Sequence, residues 1–203
     1  MIKRFFLFCV LIRIICISQA ADLPTQSLEQ KRINLSNIVK LGTKVNQANL
    51  PFPYDYLLTQ PLMTKGIEKY YQCTAIIQTV YAKKNSTNNT FFRIILMLLK
   101  PNSKLKEKEA PVVELAFITM NFKELPQTII NDVLDTNIPF GKSLLKNHFK
   151  TRSRDRQYFS VSCDNVLSSL THCTLNRKLY GRSNTLLRKD NNRWIARVVE
   201  ILM

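Results

Sequence analysis

Runs of β-branched and aromatic residues between polar turns predict six strands along the chain. Three strands come early, a fourth follows later, and two more end the chain. Their ranges are 72–83, 91–100, 111–122, 157–163, 179–189 and 193–203. Polar residues 83–90 separate the first two strands, and Asp190-Asn191-Asn192 separates the last two. Each of these pairs therefore predicts an antiparallel hairpin.

Three segments show the features of short helices. Residues 62–71 follow Pro61, residues 124–135 place Ile129 and Val133 on one apolar face, and residues 143–148 predict a further short helix. These helices fall between two groups of strands instead of alternating with single strands. This order favours a single α+β domain with an antiparallel sheet of about six strands.

The first twenty residues have the pattern of a signal peptide. A basic start, Met1–Arg4, precedes an apolar run, Phe5–Ile17, and small residues at Ser18 and Ala20 suit cleavage after Ala20. We therefore expect an exported protein, periplasmic or secreted. An N-terminal membrane anchor is the alternative, although Arg13 interrupts the apolar run. Residues 21–50 are expected to form a loosely packed lead-in, and residues 51–203 the folded domain.

Composition narrows the chemistry. The 203 residues carry a formal charge of +16, and the chain after Ala20 keeps 27 basic and 14 acidic residues, or +13. This balance favours anionic partners. Export argues against nucleic acid, which leaves small anionic ligands or anionic surfaces. With two histidines and four glycines in the sequence, we expect no metal site and no cofactor. We also expect a monomer without a stable membrane span once the signal is removed.

Three cysteines remain after export. Cys163 and Cys173 are ten residues apart and bracket one local segment, so they are the candidate disulfide. An exported compartment permits such a bond. Three buried free thiols, with Cys73 as the third, are the alternative.

Two charges interrupt apolar strand faces. Glu200 shares one face of the last strand with Ala196 and Val198, and Arg93 shares a face of the second strand with Ile95 and other apolar residues. Buried together, Arg93 and Glu200 would form an ion pair or the two poles of a pocket. The alternative places each residue at a sheet edge, where it reaches solvent.

Four stretches of the chain resemble the chorismate pyruvate-lyase family, and their order and rough spacing agree over about residues 55–203. They are Leu57-Leu58 with Leu62-Met63-Thr64-Lys65; Phe92-Arg93-Ile94-Ile95-Leu96; Ile138-Pro139-Phe140-Gly141-Lys142-Ser143-Leu144; and Leu179-Tyr180-Gly181-Arg182 with Val199-Glu200-Ile201-Leu202. The chain is thus similar to a divergent, exported member of that family.

The resemblance implies one α+β domain with a buried ligand site under helical flaps. It also implies an enzyme that converts chorismate to 4-hydroxybenzoate and pyruvate without a metal or cofactor. The family's ligand-contacting arginine falls on Arg93, and its buried acidic residue falls on Glu200. Its Met-Thr contact falls on Met63 and Thr64, and the apolar residue of its Pro-Leu-Gly turn falls on Phe140.

The proposed chemistry suits these residues. Arg93 would hold a carboxylate of the dianionic substrate, and Arg182 is a second candidate for neutralising its charge. Glu200, on an otherwise apolar face, would act as general acid or base, or else serve as the structural partner of Arg93.

Three departures from the family pattern keep other functions open. Leu115 stands where the family has a glycine beside the ligand, and the segment between Ser160 and Leu179 is longer. The third departure is the signal peptide, since chorismate is an intracellular metabolite. A second hypothesis is therefore a non-catalytic exported binder of a small aromatic carboxylate on the same fold. A third is a basic exported protein that contacts an anionic surface or partner through residues 150–156. A charge run of this kind is also typical of a solvated loop.

Overall fold

The structure, a computed structural model, describes residues 42–100 and 110–203. The predicted signal peptide (1–20), most of the predicted lead-in (21–41) and most of the charged link at 104–109 lie outside the described residues, as do Cys9 and Cys16. Within the described part, no helix is long and apolar enough to cross a membrane.

Seven antiparallel strands form one sheet in the order β1-β5-β6-β7-β4-β3-β2. Their bounds are β1 Thr43–Val45, β2 Thr74–Asn85, β3 Thr90–Lys100, β4 Val112–Asn121, β5 Thr151–Ser162, β6 Lys178–Arg188 and β7 Trp194–Leu202. Strands β2 to β7 fall on the six predicted strands. The α+β class with an antiparallel sheet is thereby confirmed.

The seventh strand, β1, comes from the predicted lead-in. It is short and carries no strand pattern of its own, and it forms by pairing with β5, from Thr43 opposite Ser160 to Val45 opposite Tyr158. Leu50 is buried in the core. The folded domain therefore includes residues 43–50, ahead of the expected boundary at residue 51.

Five short helices of the described ranges accompany the sheet. They are α1 Tyr54–Thr59, α2 Met63–Tyr71, α3 Gln127–Asp135, α4 Phe140–Lys146 and α5 Asn165–Thr171, with 3-10 turns at Gln47–Asn49 and Phe122–Glu124. Helices α2, α3 and α4 fall on the predicted helices. Helices α1 and α5 were not predicted, because six or seven residues are too few to show a helical period. A side-chain cap starts α5, where Asp164 accepts a hydrogen bond from the Leu167 amide at 2.8 Å.

The two faces of the sheet differ in what covers them. Apolar residues of α1 to α4, including Leu58, Ile67, Ile129 and Leu144, pack on one face and close the main core. We call this the helix face. Cross-strand neighbours on the opposite face are also apolar and buried, as in the row Leu96, Leu115, Ile201.

Gly181 permits a close approach within this opposite face. It lies between Phe159 of β5 and Ile201 of β7 in the register of the sheet. A Cβ atom at this position would lie 2.6 Å from the Phe159 ring and 2.5 Å from the Glu200 carbonyl oxygen. Any side chain here would therefore push two strands apart.

The basic run at 150–156 differs from the predicted solvated loop. Residues 151–156 belong to the first half of β5, which pairs with β6 from Thr151 opposite Arg188 to Arg154 opposite Thr185. A register shift follows Arg154, and Asp155 has a positive φ of 58°. Arg152 and Arg154 remain exposed, so the run displays cations from a paired strand.

Cys163 and Cys173 form a disulfide that closes the segment containing α5. Both residues are buried, as is Leu167 of α5. Cys73 is a half-buried free thiol. The disulfide anchors α5, which has few other contacts with the sheet.

Candidate ligand-binding site

Arg182 and Glu200 lie side by side on β6 and β7, because the register of the two strands pairs them directly. Arg182 Nε donates to Glu200 Oε2 at 2.5 Å. The side chains are 2% and 11% exposed, so the ion pair is buried. A buried pair of this kind depends on further hydrogen bonds to its remaining polar atoms.

Arg182 also joins the sheet to α1. Its Nη1 donates to the Leu58 carbonyl oxygen at 2.9 Å and to the carbonyl oxygen of Gln60, just beyond the helix. Carbonyls at a helix end lack partners within the helix, and the guanidinium supplies one. Arg182 therefore holds the end of α1 against the sheet.

A cavity of about 40 Å³ lies between this ion pair and helices α2 and α4. Its floor is made of apolar sheet side chains, its polar atoms come from β6 and β7, and its roof comes from the first turns of the two helices. The residues are Ile95, Met97, Ile118 and Val198 in the floor; Arg182, Asn184 and Glu200 as polar groups; and Met63, Thr64 and Phe140 in the roof. The structure thus brings together five residues that the sequence singled out: Met63, Thr64, Phe140, Arg182 and Glu200.

Ionic contacts hold the roof in place. Lys142 of α4 pairs with Glu68 of α2 at 3.0 Å, and both side chains are partly exposed. Asp132 of α3 accepts hydrogen bonds from Ser143 at 2.8 Å and from Lys146 at 3.1 Å. The Ser143 hydroxyl and the Lys146 ammonium lower the pKa of Asp132. Helix α4 is therefore tied to both of its neighbours by polar groups.

Glu114 of β4 is a second buried carboxyl that the sequence did not single out. Its Oε2 is buried without a hydrogen-bond partner among the described residues. Burial raises the pKa of Glu114 well above its usual range, and the charge of Glu200 raises it further, while Arg182 lowers it. Burial and the charge of Glu200 thus both act in favour of the neutral acid. Like Glu200, Glu114 is a single acidic residue within an apolar strand, and this pattern in the sequence could have identified it as a buried carboxyl.

Arg93 does not pair with Glu200. Arg93 lies opposite Ile118 on β4, whereas Glu200 lies opposite Ala116, so the two are separated by a whole strand and by two residues along it. Arg93 Nη1 donates to the Val133 carbonyl oxygen at 3.3 Å, and its Nε and Nη2 have no partner among the described residues. Burial lowers the pKa of Arg93 to about 10. The expected partner of Glu200 is replaced by Arg182, because a direct cross-strand neighbour is closer than a residue two strands away.

Leu115 lies away from the cavity. It pairs with Leu96 and Ile201 on the opposite face of the sheet and is fully buried there. Its neighbour Ala116 occupies the helix face between Ile95 and Glu200. A leucine at 115 therefore puts no side chain into the cavity between the sheet and the helices.

Asn184 is a cavity residue that the sequence did not single out. It lies two residues from Arg182 on the same face of β6, and its Oδ1 is buried without a hydrogen-bond partner among the described residues. A polar side chain alternating with Arg182 on a buried face was the available signal. Across the described ranges, no group of three or more His, Cys, Asp or Glu is placed to hold a metal ion.

These features define the chorismate lyase-like α+β fold, with helices over one face of an antiparallel sheet. The sequence matches no protein-family model and no curated protein. The likeness is to solved structures, at an identity that shows the fold alone.

Three of these structures come from two bacteria. Gene product SA0254 from Staphylococcus aureus has a TM-score of 0.51 at 8% identity over 72% of this chain and 90% of its own. PhnF from Mycobacterium smegmatis has a TM-score of 0.53 at 9% identity over 71% of this chain and 64% of its own. The effector domain of PhnF has a TM-score of 0.51 at 7% identity over 79% of this chain and 91% of its own.

Proposed function

We propose that the protein binds a small anionic ligand with an apolar body, such as an aromatic carboxylate, in the cavity between the sheet and helices α2 and α4. The observation that carries this proposal is the presence of two buried polar side chains, Arg182 and Asn184, in the lining of an apolar cavity, where Asn184 Oδ1 has no hydrogen-bond partner among the described residues. A guanidinium nitrogen in such a place suits a carboxylate oxygen. Asn184 and Thr64 add polar groups that would fix the orientation of the ligand.

The present volume implies that the roof moves when a ligand binds. About 40 Å³ holds water, whereas pockets for organic ligands measure roughly 300–1,000 Å³. The exposed Lys142–Glu68 pair, which joins α2 to α4, contributes at most about 1 kcal/mol. Opening the roof therefore works chiefly against the apolar packing of α2 and α4, which includes Ile67 and Leu144, and a ligand with an apolar body would replace part of that packing.

The comparisons support a binding function over a purely structural one. One of the similar structures is described as an effector domain, and we extend that role to this chain as part of the proposal. We further propose that the protein acts after export, as a monomer, because its first twenty residues have the pattern of a signal peptide.

A second candidate function is chorismate pyruvate-lyase activity. It is favoured by Glu200, whose carboxylate borders the cavity and bonds to Arg182 through Oε2. In this reaction a ring proton is removed, the ether C–O bond breaks, and the departing enolpyruvate takes up a proton to become pyruvate. Loss of the ring proton makes the ring aromatic and gives 4-hydroxybenzoate. Glu200 would move the proton, and Arg182 would offset the charge of the substrate.

One assay distinguishes the lyase from a protein that only binds a ligand. Purified protein is incubated with chorismate, and 4-hydroxybenzoate and pyruvate are assayed together. Equal amounts of both products, lost in Glu200→Gln, would establish the lyase. If no product forms, 4-hydroxybenzoate and other aromatic carboxylates are tested as ligands by thermal stabilisation.

The cavity is then tested with a matched pair of variants. Thr64→Val removes a hydroxyl from the roof, and we expect it to weaken ligand binding by about fivefold. Thr119→Val makes the same change on β4, outside the cavity, and should leave binding unchanged. Equal affinities of the two variants, or no stabilisation by any carboxylate, would refute the proposed site.

A further inference from the structure

A second concave surface lies outside the cavity. Two adjoining depressions of about 450 and 440 Å³ lie between the end of α4 and the paired strand ends at which β5 begins and β6 ends. His148, Phe149, Lys150 and Lys189 line both depressions, so the two form one continuous groove. We call it the cationic groove.

Its central cations are held next to each other by the backbone. The Lys189 amide donates to the Lys150 carbonyl oxygen at 3.0 Å, just beyond the paired ends of β5 and β6. Both side chains are exposed, as is that of Arg152 in the same groove. None of the three forms an ion pair with a residue that the structure describes.

The acids near the groove are already engaged. Among the residues that the structure describes, no Asp or Glu lines the first depression, and the second contains Asp190, which pairs with Arg188 at 2.5 Å. Glu124 also faces Arg188, at 3.7 Å. The centre of the groove therefore carries an uncompensated positive charge that suits an anionic group.

One end of the groove is apolar. Pro61, Leu62, Leu144 and Leu145 line the first depression beyond the lysines, and Leu145 is 48% exposed. Phe149 extends this apolar wall to the centre, where the guanidinium of Arg188 lies 5.5 Å from its ring. A polar anion alone would leave this wall exposed to water, and a neutral apolar molecule would leave the lysines without a partner.

We propose that the cationic groove binds a single-chain anionic amphiphile. Its charged head lies between Lys150 and Lys189, and its apolar chain follows Phe149 and Leu145 toward Leu62. The volume of the groove is within the range of sites for single small molecules. The groove shares only Pro61 and Leu62 with the lining of the cavity, so the proposal stands independently of the function proposed above.

The test measures binding of dodecyl phosphate to the full-length protein by calorimetry, below the micelle concentration. We expect one site per chain, and binding at least about tenfold weaker for inorganic phosphate and for dodecyl maltoside, which lack the chain or the charge. Dodecanoate shows whether a carboxylate head replaces the phosphate. Equal binding of dodecyl maltoside, or of inorganic phosphate, would overturn the proposal.

Two matched pairs of variants locate the site. Lys150→Glu with Lys189→Glu should weaken binding of dodecyl phosphate by about twentyfold or more, whereas Lys44→Glu with Lys84→Glu makes the same charge change outside the groove and should weaken it less than about threefold. Equal losses would assign the effect to net charge and overturn the proposal.

The apolar wall is tested in the same way. Leu145→Ser should weaken binding by about fivefold, and Leu134→Ser, at an equally exposed leucine on α3, should leave it unchanged. Circular dichroism spectra establish that every variant is folded. No difference between the two leucine variants would exclude a chain-binding wall at this end of the groove.

Discussion

Replacing Arg182 with methionine tests how the sheet and α1 are joined. Methionine replaces the aliphatic stem of the arginine but leaves Glu200 buried beside Glu114 without its cation, and it removes the donor to the carbonyls of Leu58 and Gln60. Breaking a buried ion pair by removing one partner destabilises a protein by about 3–5 kcal/mol. We therefore expect the free energy of unfolding to fall by about 4 kcal/mol, a large part of the roughly 5–15 kcal/mol typical of a domain.

The assay is urea unfolding followed by the fluorescence of Trp194, the single tryptophan of the chain. The control, Arg154→Met, breaks an exposed pair with Asp155 and should change stability by less than about 1 kcal/mol. The double variant Arg182→Met with Glu200→Leu leaves neither charge of the pair buried without its partner, so it should be more stable than Arg182→Met alone. A loss below about 1 kcal/mol in Arg182→Met would refute the argument that this ion pair and its carbonyl contacts hold the site together.

Three further predictions concern other buried groups. Glu114→Gln should stabilise the protein at pH values above the usual pKa of a glutamate. Burial raises the pKa of Glu114 in the folded state, so the contribution of the wild-type carboxyl to stability is full below the unfolded pKa. That contribution is lost as pH rises through the folded pKa. Unfolding free energies of both proteins across pH 4 to 9 check this, and a gap that narrows with rising pH would contradict it. Arg93→Met should raise the unfolding free energy by about 1 kcal/mol, because it removes two buried nitrogens that have no hydrogen-bond partner among the described residues. A lower melting temperature would show that Arg93 is paired. Cys163→Ala with Cys173→Ala should lower stability by about 2–3 kcal/mol, the expectation for a short closed loop, and unchanged melting under non-reducing conditions would rule that out.

The sequence predicted the elements of the fold better than the partners within the site. Strands β2 to β7 follow the runs of apolar residues, whereas β1 forms only by pairing with β5, a partner more than a hundred residues away. The alternation of apolar residues placed Arg93 and Glu200 on buried faces, but it carried no register between distant strands. Register is what gives Glu200 its neighbour Arg182 and puts Arg93 opposite Ile118.

The same limit applies to the residues that the sequence did not single out. Glu114 and Asn184 are ordinary polar residues until the sheet places the first beside Glu200 and the second in the cavity wall. The basic run at 150–156 has the charge pattern of a solvated loop, and these charges conceal the pairing of its backbone with β6.

Gly181 has a consequence for recognising distant relatives of this protein. Because a Cβ there would collide with the Glu200 carbonyl and the Phe159 ring, a side chain at position 181 would displace the strand that carries Glu200, the partner of Arg182. A glycine-arginine step followed eighteen residues after the arginine by a glutamate is thus a three-residue signature of the arrangement. In a set of aligned sequences, those that keep Gly181, Arg182 and Glu200 together should share this site, and those that lose the glycine should have lost the ion pair as well.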